Sequence, residues 1–200
     1  MDVSIIHATP NPLHVISQAA GICYGKDDYS FSRVKHCYNH HHMSPFEHAM
    51  ATFEVSGISR ACSHQLVRHR LASYNQQSQR YCRINVQEDG WYVTPPAFKD
   101  YMERQYRQHM TDAALGYLVA LESGIKPEDA RYLLPEACKT EIVVSMNVRE
   151  LFHFLDVRQS PGAQWEIHEL ADAMEEALRR CGDAEWLQLL EMRSGAGHEI

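Results

Sequence analysis

The apolar residues change period along the chain, and the changes mark its elements. Val3 to Ala8 reads as a short first strand; Asn11-Pro12 then opens a helix in which Leu13, Ile16 and Ala20 recur at helical spacing toward Gly25. A second helix is predicted from Phe31 to His40, with Ser30 placed to cap it. Pro45 makes a break, after which Ala49 to Gly57 alternates, Met50, Thr52 and Glu54 against Ala51, Phe53 and Val55, as a half-buried strand does. From Ile58 to Arg68 the helical period returns through Ala61, Cys62, Gln65 and Leu66, and on such a helix Gln65, Arg68 and His69 share one face. Arg68 to Tyr81 has Leu71 as its only large aliphatic residue, so it has little to bury and is expected to be a loop.

Ile84 to Val93 reads as strand or irregular chain, stopped by Thr94-Pro95-Pro96. Phe98 to Ser123 carries the longest helical pattern, with a stripe of Tyr101, Tyr106, Met110, Ala113, Ala114, Tyr117 and Leu121 and with Gly124 as the stop. Pro127 starts a short helix whose Glu128 and Asp129 suit its N-terminal dipole. The β-branched run Thr140, Ile142, Val143, Val144 marks a strand within Ala137 to Val148. Helices at Arg149 to Arg158, Gln164 to Cys181 and Asp183 to Met192 complete the chain. Strands mixed irregularly with helices, without a glycine-rich strand-to-helix turn, predict an α+β, non-Rossmann fold. The expectation is a single compact domain over 1–200, with a central mixed or antiparallel sheet flanked by helices and a helical C-terminal part.

A length of 200 residues with 44% hydrophobic composition suits one such core. No apolar run approaches the ~18 residues that span a bilayer, and no leader pattern opens the chain, so a soluble, cytoplasmic protein without membrane contact is expected. Six scattered cysteines lack the paired two-residue spacing of a zinc knuckle or redox dithiol and read as reduced thiols. A net charge of -7 argues against general nucleic-acid binding.

The charge is unevenly placed, and this changes the picture. Val55 to Gln87 contains no carboxylate but holds Arg60, Arg68, Arg70, Arg80 and Arg83. Two unit charges about 6 Å apart at an effective dielectric near 20 repel by roughly 3 kcal/mol, a cost that a bound anion removes. Arginine suits that task because its planar fork meets phosphate bidentately and stacks on flat rings. Asn75, Gln76, Gln77 and Ser78 add donors and acceptors of the kind that read a base or sugar edge. The residues point to a pocket for a small phosphorylated, heterocyclic ligand; the alternative is a solvated basic loop paired to acidic helices elsewhere. A binding protein that senses such a metabolite without turnover fits the same pattern. His36, His40, His41, His42 and His48 invite a metal-dependent hydrolase, but three consecutive histidines cannot all face one ion from a helix or strand, and no metal is expected.

Arg68-His69-Arg70, seven residues and then Ser78 resembles the hallmark of the flavin-dependent thymidylate synthases. Other blocks agree in order: Ser44-Pro45-Phe46-Glu47-His48, Ala130-Arg131-Tyr132-Leu133-Leu134-Pro135, Asn147-Val148-Arg149 with Arg158, and Ala163-Gln164-Trp165-Glu166. The likeness spans about Cys37 to Glu169. It implies reductive methylation of dUMP to dTMP, with methylenetetrahydrofolate as carbon donor, NADPH as reductant and FAD as hydride carrier, in a homotetramer with shared active sites. By the same resemblance, Ser44, Arg68, His69, Arg70, Asn147, Val148, Arg149 and His153 are FAD contacts. Gln65, Leu66, Val67, Arg68, Gln76, Gln77, Ser78, Gln79, Arg80, Arg131 and Arg158 are dUMP contacts. Arg158 corresponds to the residue held to ionise the uracil imide, and His42 and Glu47 to residues near the flavin. Gln76 stands where many relatives carry Glu, and His153 where others carry Asn; both changes keep hydrogen-bonding capacity.

Overall fold

A computed structural model describes residues 1–195. One four-stranded sheet, ordered β1-β2-β4-β3, is built from β1 (Asp2–Ala8), β2 (Met50–Ser59), β3 (Ala72–Gln76) and β4 (Lys139–Asn147). Its neighbours run antiparallel: the exit of β1 meets the entry of β2 through Thr9 N–H to Met50 O, and the exit of β4 meets the same entry through Val148 N–H to Ala49 O. The exit of β3 meets the entry of β4 through Gln77 N–H to Glu141 O. The helices are α1 (Pro12–Ile22), α2 (Phe31–Asn39), α3 (Arg60–Leu66), α4 (Asp100–Glu122), α5 (Pro127–Ala130), α6 (Val148–Arg158), α7 (Trp165–Arg179) and α8 (Ala184–Gly195). The α+β class read from the sequence is the one observed, with the sheet antiparallel.

The chain packs as two units. The first comprises Met1–Val55, Gln65–Asn75 and the chain from Val143 onward. Alternation on β2 buries Ala51, Phe53 and Val55 completely while Met50 and Glu54 stay exposed. Around them pack Leu13 and Ile16 of α1, Leu151 and Phe154 of α6, Ile167 and Met174 of α7, and Trp186 of α8, all fully buried. Trp186 keeps its indole N–H satisfied by donating to Thr9 O at 3.1 Å. Polar side chains cap the helices as propensity dictates: Ser30 accepts from Arg33 N–H, Asn147 from Glu150 N–H and Gln164 from Ile167 N–H.

The second unit comprises Ser56–His64 and Gln76–Ile142. Its core joins Ala114, Tyr117 and Ala120 of α4 to Val86 and Ala130. Tyr101, expected in the α4 stripe, is 61% exposed, because α4 begins at Asp100 and its first turn lies outside the packed stretch.

Two local expectations are corrected, and a third, left open between strand and irregular chain, is decided. Strand β2 continues through Gly57, at φ 75°, to Ser59, so α3 starts at Arg60 and stops at Leu66; Arg68 and His69 occupy the turn after it, not a helical face. The polar stretch expected as a loop contains β3, since an edge strand needs backbone pairing and only one half-buried face, here Ala72, Tyr74 and Gln76. Residues 84–93 are irregular apart from an isolated bridge between Tyr92 and Cys138.

Candidate active site

The first unit contains a cleft of about 1160 Å³, somewhat above the roughly 300–1,000 Å³ usual for small-molecule sites. Three pieces of local structure build most of it. Capping by Asn147 starts α6 so that Arg149, His153, Asp156 and Val157, at i, i+4, i+7 and i+8, present one face to it. The turn after α3 supplies Arg68, His69, Arg70 and Leu71, and the end of α2 supplies Tyr38 and Asn39. His41 follows with φ 56°, a left-handed conformation uncommon outside glycine.

His69 is the buried hub of this wall, 5% exposed. Its Nε2 accepts from Arg158 Nε at 3.0 Å, and Arg158 Nη2 donates to Gln65 O at 3.2 Å. Burial, reinforced by the positive charges of Arg158 and His153, pushes the imidazole pKa down to about 4, so the ring is neutral near neutral pH. On its other side Nδ1 faces Glu150 Oε1 at 3.4 Å. Burial raises the Glu150 carboxyl above its ordinary range, although His153 and Arg149 pull the other way. Tyr74 braces the turn from β3: its hydroxyl lies 2.9 Å from Leu66 O and 2.7 Å from His69 O, and burial lifts its pKa, with Glu150 adding to the rise.

The charges at the rim are unequal. Arg149 Nη1 pairs with Glu47 Oε1 at 2.5 Å. Arg68 and Arg70 are exposed and form no ion pair among the described residues. Of the reading that makes the basic stretch a loop paired to acidic helices, only Arg80 of its arginines gives support among the described residues: its Nε bonds Glu128 Oε2 at 2.6 Å.

In the second unit the expected nucleotide-contact residues form their own network. Arg131 Nε donates to Glu128 O at 3.0 Å, so Arg80 and Arg131 converge on the same residue. Gln76 Nε2 donates to Ser63 Oγ at 2.8 Å and Thr140 Oγ1 at 3.1 Å. Gln77 N–H is used by Glu141 O, Ser78 Oγ accepts from Arg80 N–H, and Gln79 is buried with its amide against Cys138 Sγ.

Not every residue expected at the site offers a side chain to it. Leu66 and Val148 are fully buried core residues, so a ligand could meet only their backbone, and the Val148 N–H is already given to Ala49 O. Asn147 uses its side chain as a helix cap. Val67 is 37% exposed beside Arg68. Ser44 and Glu47 lie on a 3₁₀ turn, Ser44–His48, and His42 is exposed just before it. The rings of His36, His40 and His42 draw within 4.3 to 6.3 Å of each other, but no group of three His, Cys, Asp or Glu among the described residues is arranged to hold a metal. Sequence reasoning missed Glu150, Asp156 and Arg193 in the cleft wall. The i, i+4, i+7 pattern from Arg149 could have shown Asp156; Arg193 comes from a distant helix and left no local signal.

The chain matches, over residues 4–181, the family model described as thymidylate synthase complementing protein. It is 40% identical over 192 residues to the flavin-dependent thymidylate synthase of Pyrococcus horikoshii, covering 89% of this chain and 79% of that one. The chain belongs to the flavin-dependent thymidylate synthase family. Within that family it is also 39% identical over 188 residues to the Geobacter sulfurreducens protein, covering 87% of this chain and 80% of that one. A crystal structure of the Helicobacter pylori flavin-dependent thymidylate synthase with FAD and dUMP is similar at a TM-score of 0.72 and 29% identity, covering 96% of this chain and 98% of that one. The matched span of the thymidylate synthase model includes the Arg68-His69-Arg70 block, Tyr74 and all of α6.

Proposed function

We propose that this protein forms dTMP by reductive methylation of dUMP, using FAD, with methylenetetrahydrofolate as carbon donor and NADPH as reductant. The observation that carries the reading is the pair Arg68 and Arg70, two unpaired guanidiniums held beside a neutral imidazole at one cleft. Exposed guanidiniums without an ion-pair partner among the described residues suit a pyrophosphate, and the cleft volume suits a dinucleotide. Tyr38 and Phe152 add aromatic surface to the lining. Bound there, FAD supplies the hydride chemistry that side chains lack.

The chain's own residues supply position and charge. Arg68, Arg70 and Arg149 answer phosphate, while His153 offers a ring edge, His69 acts from behind through Arg158, and Ser44 and Asn147 lie on adjoining turns. Arg158 is fixed through Nε and Nη2, and Nη1 has no partner among the described residues. A guanidinium beside the uracil imide favours its ionised form, which makes the ring carbon a better nucleophile. Arg80 and Arg131, gathered at Glu128, and the Gln76 to Gln79 stretch are the proposed dUMP contacts of the second unit. A homotetramer with shared active sites is part of this reading, supported by exposed apolar residues such as Leu115 and Val119 on α4 and Tyr132, which is 84% exposed. A cytoplasmic setting is supported by six cysteines that are all free.

The test is the visible absorption spectrum of the purified protein. A flavin band bleached by NADPH, with dTMP formed from dUMP only when the folate donor is present, is expected. A colourless protein unable to take up FAD would overturn the reading.

A further inference from the structure

Glu150 lies in the first turn of α6, where a carboxylate ordinarily reaches solvent while favouring the helix dipole, yet it is 4% exposed. Burying a carboxylate is costly unless something near it needs the charge. What stands near it is Nδ1 of His69, at 3.4 Å. We propose that Glu150 is a positioning residue for Arg158, acting through His69 by holding the imidazole in the one tautomer that lets the guanidinium dock.

The argument follows from donor and acceptor counting. Arg158 has only N–H groups to offer, so its bond from Nε to His69 Nε2 at 3.0 Å requires a lone pair on Nε2. A neutral imidazole then carries its proton on Nδ1, the nitrogen that faces Glu150. The carboxylate stabilises a proton there. The opposite tautomer would set two N–H donors against each other at Nε2 and a lone pair against a carboxylate at Nδ1. His69 is 5% exposed, so water cannot relieve either clash. A buried carboxylate that fixes an imidazole tautomer is an established device in enzyme sites. Here the imidazole serves as an acceptor that aims a cation. With the tautomer fixed, Arg158 is held at Nε and at Nη2, and Nη1 is left to meet a ligand. The role rests on the reading that Arg158 faces the substrate, but the tautomer itself does not.

The experiment uses the purified full-length protein labelled with ¹⁵N-histidine, whose ring nitrogen shifts distinguish the two tautomers. Wild-type His69 is expected with Nδ1 protonated and Nε2 bare. Glu150→Gln should raise the Nε2–H population and lower kcat for dTMP formation by roughly 10–100-fold, as loss of an orienting partner does, with FAD still bound. Glu150→Asp, which keeps the charge, should retain the wild-type tautomer. The proposal is overturned by a wild-type His69 that carries its proton on Nε2, by a Glu150→Gln protein with unchanged tautomer and kcat, or by an Asp variant that shifts as far as the Gln one. If Glu150→Gln does not fold, the wild-type and Asp tautomers decide. A tautomer shift in a protein that makes no dTMP supports the positioning role and removes the proposed function alone.

Discussion

Arg158 and His69 are joined by a hydrogen bond of 3.0 Å in which a permanent cation donates to an imidazole that must stay neutral to accept. The second bond, from Nη2 to Gln65 O at 3.2 Å, uses the planarity of the guanidinium, so the remaining nitrogen is aimed by two contacts on one segment far from Arg158 in sequence. A lysine has one ammonium and cannot reproduce that geometry. Arg158→Lys is expected to lower kcat for dTMP formation by at least about 100-fold, the scale of losing one preorganised electrostatic contact, while FAD remains bound. Steady-state kinetics with flavin occupancy read by absorbance checks this; an unchanged kcat would deny Arg158 its role.

The neutral state of His69 makes stability pH-dependent. Its pKa is about 4 in the fold against 6.5 for an ordinary histidine, so between those values the unfolded chain binds the extra proton and the native one does not. Stability from this group is therefore complete above about pH 6.5 and drains away as the pH falls toward 4, by on the order of 3 kcal/mol at most. Glu150 acts with the opposite sign, because burial raises its pKa and protonation at low pH relieves its cost. The net slope should be shallower than His69 alone would give. Urea midpoints measured from neutral to mildly acidic pH should fall in the wild type and fall less in His69→Gln; equal slopes would place the acid sensitivity elsewhere.

How much of this was legible in the sequence depends on whether a feature is local. Alternation on β2, the Ser30 cap and the stop at Gly124, which has φ 83°, are decided within a few residues and were read correctly. Strand β3 was not, because its sequence, Ala72 to Gln76, is polar and its pairing with β4 is a backbone matter. The arginine concentration was visible as a gap in the carboxylates, but the division of labour within it was not. Arg80 is neutralised by Glu128, 48 residues away, whereas Arg68 and Arg70 have no ion-pair partner among the described residues. Glu150 gave no sign at all, since its meaning lies in a histidine on another segment.

Tyr74 tests whether the turn that carries Arg68, His69 and Arg70 needs bracing from β3. Its hydroxyl has one proton for two carbonyls in the turn after α3, Leu66 O, which also accepts from the His69 N–H, and His69 O. Tyr74→Phe keeps the ring and removes only that donor. The expected cost is about 1–2 kcal/mol of stability, with weaker FAD binding because the turn that carries Arg68 and Arg70 loosens. Thermal unfolding and flavin titration read the two effects separately. A variant with normal stability and normal FAD affinity would show that the turn holds itself.

Arg193 offers a contrast between a buried and a part-buried ion pair on the same carboxylate. The Arg193 side chain is 4% exposed, and its Nη2 bonds Glu175 Oε2 at 2.7 Å and Gln159 Oε1 at 2.7 Å while Nη1 bonds Asp156 Oδ1 at 2.8 Å. Burial pushes the Glu175 pKa up, but hydrogen bonds from Gln159 and Arg179, with the charges of Arg193 and Arg179, bring it below the ordinary value. Arg193→Met fills similar space yet leaves Glu175 and Asp156 without their buried cation, and should cost about 3–5 kcal/mol. Arg179→Ala removes a partner on the same glutamate that is 30% exposed and one helical turn away, and should cost well under about 1 kcal/mol. Chemical unfolding of the two variants side by side decides the matter. Similar small losses would mean that α8 is held by Trp186, Leu189 and Leu190 alone and that the guanidinium merely balances the charge it was buried with.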